Sequence, residues 1–376
     1  MSFYNRIINK TNDIIQKVFL RNPIACSRIR QVQRRFLDSQ ECNYYDSLIV
    51  FFVPGYDRVS GGIMSIISIA SETQTLFSKS KTGVFVCPVP CDPPLSRFTK
   101  FENNHTLVGY EELLLRCCNA KKMLVHIPEY YVHCMADKYH KLLNKFDGDL
   151  YINIMLQNIN LDPNPYYVDR LKLLGPVTIT TAHKAYSGEK TGQRYGCPVH
   201  HLSAWVNSGK YIYKTYDEKR ALIVVSPDEH PLRDAILNEI RKQLPEFDFV
   251  TIQNMTYRSF LEIISEARFS LTFGEGLDGY FSEPILSGGI GCSVYNDRFF
   301  EPEYKYLPFV YASWDDLVDH IAEDIIHINM DSHEYSRVHK AQYHLLSSKY
   351  SFEDYRSNIS SYYAKFFKYA INDQYC

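Results

Sequence analysis

Glu275 and Glu283 are separated by seven residues in FGEGLDGYFSEPILSGGIGCSVY (Phe273–Tyr295), the stretch richest in residue types suited to chemistry. Ionised carboxylates only accept hydrogen bonds, so two of them flanking a glycine-rich turn suit sugar hydroxyls. Phe269–Phe273 reads as a strand, Ser282–Ser287 as a short helix closed by Gly288 and Gly289, and Ile290–Tyr295 as a second strand. A glycine-rich turn feeding a helix start directs backbone N–H groups outward, and with the helix dipole these suit an anion such as a diphosphate. The plain alternative is an ordinary strand-turn-helix with both glutamates solvated.

Elements positioning such a turn are legible on both sides of it. Ser47–Val53 is a continuous apolar run, as in a buried parallel strand. Val84–Cys87, Lys122–Ile127, Leu150–Met155 and Val177–Thr181 are further strand candidates, with helical stretches at Tyr110–Asn119, Tyr131–Phe146 and Tyr166–Leu174. After a polar stretch, Ala182–Lys219, the alternation resumes: strands at Ala221–Val225, Phe247–Ile252 and Arg268–Phe273, helices at Leu232–Gln243, Tyr257–Ala267 and Trp314–Ile328. Strands alternating with helices imply doubly wound parallel sheets. The expected division is a basic N-terminal segment (1–40), a Rossmann-like domain (41–212), a second one (213–345) and a helical tail (346–376).

Length and composition agree with two globular domains, since 376 residues exceed the usual single core. The 30 tyrosines suit surfaces that are both apolar and hydrogen-bonding, carbohydrate sites included. A net charge of −2 offers no global field for nucleic acid. The ten cysteines contain no CxxC pair, so Cys87 and Cys91 lack a second pair for zinc. Without a signal-peptide pattern, reduced thiols and a cytoplasmic setting are expected, and no apolar run reaches the ~18 to 20 residues that span a bilayer. From Met1 to Phe36, eight Arg or Lys accompany a single acid, Asp13, and Ile7, Ile8, Ile14, Ile15, Val18 and Phe19 recur at helical spacing. Such a helix either lies on an anionic membrane surface or packs on a domain with its basic face solvated.

The segment EGLDGYFSE followed by PILSGGIGCSVY resembles the donor-sugar motif of retaining glycosyltransferases with the GT-B fold. The resemblance implies two Rossmann-like, doubly wound parallel-sheet domains facing a central cleft. It implies that Glu283 accepts hydrogen bonds from ribose hydroxyls and that Glu275 binds the transferred sugar. Amides of Gly276, Leu277, Asp278 and Gly279 then stabilise the leaving diphosphate. Gly61 and Gly62, in RVSGGIM, are similar to the loop where the family's backbone comes close to the donor. The family's Arg and Lys for the diphosphate are missing from VVSPDEHPLRD: Ser226 stands in place of the Arg, with His230 and Arg233 nearest. Arg233 is read equally as a phosphate ligand or an exposed helix residue. His183, beside Lys184, matches a family histidine that faces the sugar, or is a solvated loop residue. His126 is a candidate for lining the acceptor side.

The implied activity is transfer of a sugar from a nucleotide-sugar donor to a glycan or lipid-linked glycan acceptor, in surface polysaccharide assembly on the inner membrane face. No metal or other cofactor is expected. Asp147-Gly148-Asp149 is the rival, a metal-holding Asp-x-Asp, but it precedes a strand instead of following one. Two alternatives keep the fold: a sugar-nucleotide 2-epimerase, and a non-catalytic partner subunit, which the missing Arg favours.

Overall fold

The computed structural model describes residues 22–203, 211–349 and 351–365. Most of the basic N-terminal segment (1–21), part of the expected inter-domain stretch (204–210) and the end of the tail (366–376) lie outside the described residues. The chain forms two compact units that divide at 204/205 and again at 354/355. The described residues from Tyr355 to Lys365 group with the first unit.

The first unit holds six strands: β1 (Ser47–Val53), β2 (Thr82–Pro88), β3 (Lys122–Pro128), β4 (Asp149–Leu156), β5 (Val177–Thr181) and β6 (Val199–His201). Their order is β2-β1-β3-β4-β5-β6, every pair parallel. Continuous apolar runs form the middle of this sheet because both faces are covered. One face sends Val50, Phe52, Val125, Ile152 and Ile154 into the main core. The other face, offset by one residue, carries Phe51, His126, Asn153 and Thr178. That face is closed by the helix Phe352–Tyr363: Tyr362 Oη lies 3.0 Å from Thr178 Oγ1, and Tyr363 Oη lies 3.0 Å from Thr73 Oγ1 and 3.2 Å from His126 Nε2.

The helix Pro23–Asp38 caps this unit, with Leu37 in the core and Gln33 Nε2 donating to the Leu95 carbonyl at 2.9 Å. Ile24, Arg28, Arg30, Val32 and Arg35 are exposed on it. Among the described residues, no helix is long and apolar enough to cross a membrane.

The second unit holds β7 (Arg220–Val225), β8 (Asp248–Thr251), β9 (Ala267–Leu271), β10 (Ile290–Val294) and β11 (Val310–Tyr311), in the parallel order β11-β10-β9-β7-β8. In each unit the first strand lies between the second and the third. Chain direction across the sheet therefore reverses between β1 and β3, and between β7 and β9. Such switch points open a crevice beyond the carboxyl ends of the strands, where ligands of these sheets bind.

Two stretches of the first unit differ from the sequence reading. The helix Glu189–Tyr195 and the strand β6 arise inside the polar stretch read as a connector. Tyr131–Phe146, read as one helix, is broken into a short turn and the helices Val132–Asp137 and His140–Leu143.

Candidate functional site

The carboxyl ends of β7 and β9 lie side by side, with Val225 opposite Leu271. Two loops leave this point, residues 226–232 and 272–278. Ser226 fastens them together. Its N–H donates to the Leu271 carbonyl at 2.9 Å, its Oγ accepts from the Phe273 N–H at 2.9 Å, and its carbonyl accepts from Arg233 Nη2 at 2.9 Å. Ser226 is buried, so the residue in place of the family's Arg is a clamp between the loops.

Arg233 and His230 belong to the same scaffold. The Arg233 guanidinium also reaches Thr251 Oγ1 at 3.3 Å and stands 5.4 Å above the Phe273 ring. His230 packs on Trp314 at 4.4 Å, and its Nδ1 accepts from the Leu232 N–H at 3.2 Å. Phe273 and Trp314 stack at 5.0 Å. The two cationic candidates thus brace the loop behind the glycine-rich turn. A guanidinium beside strand-end carbonyls is held by them, as its five donors allow.

The turn itself is set by Asp278. Its Oδ1 accepts from the N–H groups of Tyr280 (2.8 Å) and Phe281 (3.0 Å), and its Oδ2 accepts from Thr272 Oγ1 at 2.7 Å. This N-cap starts the helix at Gly279 and carries it to Leu286, three residues earlier than the expected start at Ser282. It thereby occupies the Tyr280 and Phe281 amides, the two that follow those expected to receive an anion. Gly276 takes φ +93°, and a Cβ there would lie 2.4 Å from Phe300 Cε2. Leu277 packs into the cluster of Phe281, Ile285, Phe300 and Tyr304. Gly279 has a different reason to be glycine: a Cβ would lie 2.8 Å from Glu283 Oε1, so the carboxylate folds back over the first turn of its own helix.

Four carboxyl groups therefore gather at the β7/β9 switch point. Glu283 Oε2 accepts from Tyr257 Oη at 2.7 Å, and Tyr211 Oη lies 3.3 Å from Tyr257 Oη. Burial pushes the Glu283 carboxyl up to about 7, although the two tyrosine hydroxyls pull it down. Asp278 is raised to about 7 by burial against the pull of Thr272. Glu275, half-buried, is raised to about 7 by burial and by Asp228, with Arg298 opposing. Asp228 Oδ2 is buried without a hydrogen-bond partner among the described residues, and a Cβ on Gly274 would lie 2.8 Å from it and 3.0 Å from Asp278 Oδ2. Carboxyls poised near neutrality both accept and donate hydrogen bonds, which suits a polyol.

In the first unit the corresponding position follows β1 and β3. Gly61 and Gly62 open the helix Gly61–Leu76. A Cβ on Gly61 would meet nothing within 4 Å and one on Gly62 only Gln157 Cβ at 3.8 Å and Ser60 Oγ at 4.0 Å, and neither has a left-handed φ. Packing does not demand glycine at either position. Glu129, just past β3, accepts from the Gln157 and Asn158 N–H groups at 3.2 and 3.0 Å and is raised to about 7 by burial. His183 is half-buried, its pKa lowered to about 4 by burial, with the Tyr186 ring at 6.4 Å; Lys184 is exposed.

His126 is corrected outright as an acceptor-lining residue. It is fully buried, stacked on Phe51 at 4.2 Å and hydrogen-bonded by Asn153 Nδ2 at 2.9 Å, under the helix that returns from the end of the chain. Asp147 and Asp149 are exposed at the amino end of β4. Among the described residues no group of three or more His, Cys, Asp or Glu is placed to hold a metal ion.

Sequence reasoning passed over Asp228, Tyr211, Tyr257 and Glu129. Asp228 lies three residues past the end of β7, a position that signals a switch-point residue once the strand order is known. Nothing in the sequence marks the two tyrosines among thirty.

No protein-family model matches this chain, and no curated protein matches it. Solved structures do. A structure of trehalose-6-phosphate from E. coli bound with UDP-2-fluoro glucose matches at a TM-score of 0.53 and 8% identity, over 86% of this chain and 99% of that one. A UDP-GlcNAc 2-epimerase from Neisseria meningitidis bound to UDP-GlcNAc matches at 0.45 and 11%, over 85% and 99%. A TarM mutant of S. aureus in complex with fondaparinux, alpha-GlcNAc-glycerol and UDP matches at 0.44 and 11%, over 63% and 54%. The chain thus spans about half the length of the TarM chain. At these identities the likeness is one of fold. With its two parallel, doubly wound sheets, the chain is an α/β protein of the GT-B fold.

Proposed function

We propose that this chain is a glycosyltransferase moving a sugar from a nucleotide-sugar donor to a glycan or lipid-linked glycan acceptor with retention of configuration. The observation that carries the reading is the placement of Glu275 and Glu283 about one glycine-rich turn at the β7/β9 switch point, with Glu283 folded over Gly279. The bound UDP-2-fluoro glucose of the 0.53 match supports the donor class.

In this reading Glu283 accepts from the ribose hydroxyls and Glu275 from hydroxyls of the transferred sugar. Asp278 holds the Tyr280 and Phe281 amides, and the leaving diphosphate is met by the N–H groups of Gly276, Leu277, Asp278 and Gly279. Burial raises Asp278 and Glu275 to about 7, and their partial protonation near neutrality lessens the repulsion of that diphosphate. Gly61 and Gly62, with His183 and Lys184, serve the sugar and the acceptor. The reaction proceeds on the front face without a metal.

Full-length protein titrated with UDP, GDP and ADP at a hundred times Kd should be stabilised by about 2.7 kcal/mol by one of them. Turnover of the matching sugar nucleotides should survive excess chelator. Loss of turnover, in parallel with loss in Asp149→Ala and rescue by manganese or magnesium, would overturn the metal-free reading. One observation favours a second reading, a subunit that binds without transfer: Arg233 is committed to Ser226 and Thr251. Binding with no product from any donor and acceptor would select it, and product from a sugar nucleotide alone would select an epimerase.

The same proposal seats the chain on an anionic membrane surface through its basic N-terminal segment. Deleting residues through Phe36 would remove Gln33, which bonds the Leu95 carbonyl, so charge reversal is the cleaner test. Arg28→Glu, Arg30→Glu and Arg35→Glu together should leave melting unchanged and lower partitioning onto phosphatidylserine vesicles at least about tenfold, at roughly 1 kcal/mol per basic residue. Unchanged partitioning would remove this helix from any membrane role.

A further inference from the structure

We propose that Tyr257 is a positioning residue for Glu283, holding its carboxylate so that Oε1 is presented to the ribose hydroxyls of a nucleoside diphosphate; this rests on the donor reading above. Three elements converge on the one side chain. Tyr257 opens the helix Tyr257–Glu266, whose start is capped by Thr256 accepting from the Ser259 N–H at 3.2 Å, and its ring packs on Phe260 at 5.8 Å. Its hydroxyl takes Oε2 at 2.7 Å. Tyr211, from the segment before β7, stands behind it at 3.3 Å. The remaining oxygen, Oε1, lies over the bare Cα of Gly279.

A glutamate on a short helix has several torsions to lose when it binds a ligand. A tyrosine ring fixed by packing removes most of that cost beforehand. The partners are also informative by type. Buried carboxylates are commonly paired with a cation. This one is met by phenol hydroxyls, which polarise it while leaving acceptor capacity for further hydroxyls. The titratable groups that act on it are Tyr211, Tyr257 and Tyr280, and Asp278 at the helix start. Both Tyr211 and Tyr257 favour the ionised form, against burial.

The test is calorimetric titration of the full chain with UDP, GDP and ADP from pH 6 to 9, then of the tightest of these beside its 2′,3′-dideoxy form. Tyr257→Phe deletes one oxygen and keeps the ring, and a melting curve confirms its fold. It should weaken the ribonucleotide about tenfold and move the affinity profile to higher pH. It should weaken the dideoxy form far less, because hydroxyl and tyrosine act through the same carboxylate. Gly279→Ala, which displaces Oε1 from the other side, should reproduce the loss, and Glu283→Gln should flatten the profile. If Tyr257→Phe binds and titrates like the wild type, or loses as much affinity for the dideoxy form, the positioning role is wrong while the donor reading stands. If the wild type binds none of the three diphosphates, both fall.

Discussion

Replacing Glu283 by alanine is expected to raise the KM for the sugar nucleotide by roughly 10- to 100-fold, with kcat changed no more than a few-fold. Hydrogen bonds to a charged group contribute about 1.5–3 kcal/mol, and about 1.4 kcal/mol is tenfold in affinity. Ribose does not change on reaching the transition state, so contacts to it are uniform binding and their loss appears in KM. The fold should tolerate the change: Tyr257 Oη keeps Tyr211 Oη at 3.3 Å, and one raised carboxyl leaves the cluster. A pH dependence accompanies the effect. With its pKa raised to about 7, Glu283 is mostly protonated at pH 6, so its contribution to affinity is gained as pH rises through about 7. Wild type minus Glu283→Gln isolates that contribution from the ligand's own titration. Initial rates over a donor concentration series measure the split. A kcat loss at constant KM would place Glu283 at the chemistry and not at the ribose.

The sequence made the sheets readable wherever strands are buried on both faces. LIVFFV in β1 and LIVV in β7 are apolar throughout because helices cover both sides, and no solvent face interrupts them. The glycine-rich turn was readable for a related reason, since glycines and an acid pair at a strand end are local features. What escaped depended on distant chain. His126 ends an apolar strand, and a sheet edge was the natural place for it. Its burial follows from a helix more than two hundred residues later, whose Tyr362 and Tyr363 close that face. The polar stretch Ala182–Lys219 hid β6, whose burial comes from pairing with β5 and from the Asn358 carbonyl, which accepts from His200 Nε2 at 2.9 Å. Arg233 was legible as a helix-start cation, but its direction is set by the Ser226 carbonyl and Thr251 on neighbouring strand ends. Asp278 lay inside the motif and was read as a backbone contributor. Its side chain proves to be the cap that fixes where the helix begins.

Gly276→Val is expected to destabilise the second unit by roughly 2–5 kcal/mol and to abolish nucleotide binding. Two costs add at this position. A left-handed φ of +93° is one that a β-branched residue rarely adopts, at about 1–2 kcal/mol or more. The new side chain must also displace Phe300, whose Cε2 would lie 2.4 Å from the Cβ, with Ser293 Oγ at 3.1 Å and the Val294 carbonyl at 3.2 Å. Overpacking of that kind costs about 1–3 kcal/mol. Because Phe300 also stacks on Tyr295 at 5.8 Å and meets Tyr304 at 5.3 Å, it has little room to yield. The turn is then the part that moves, and it carries Glu275 on one side and Asp278, with its helix, on the other. Urea unfolding and a diphosphate titration on the same sample measure both effects. Gly276→Ala with Phe300→Leu separates the causes: recovery relative to Gly276→Ala alone identifies the steric clash, and no recovery identifies the backbone conformation. Full binding by Gly276→Val would show that the donor does not depend on the shape of this turn, and would remove the glycine-rich segment from the site.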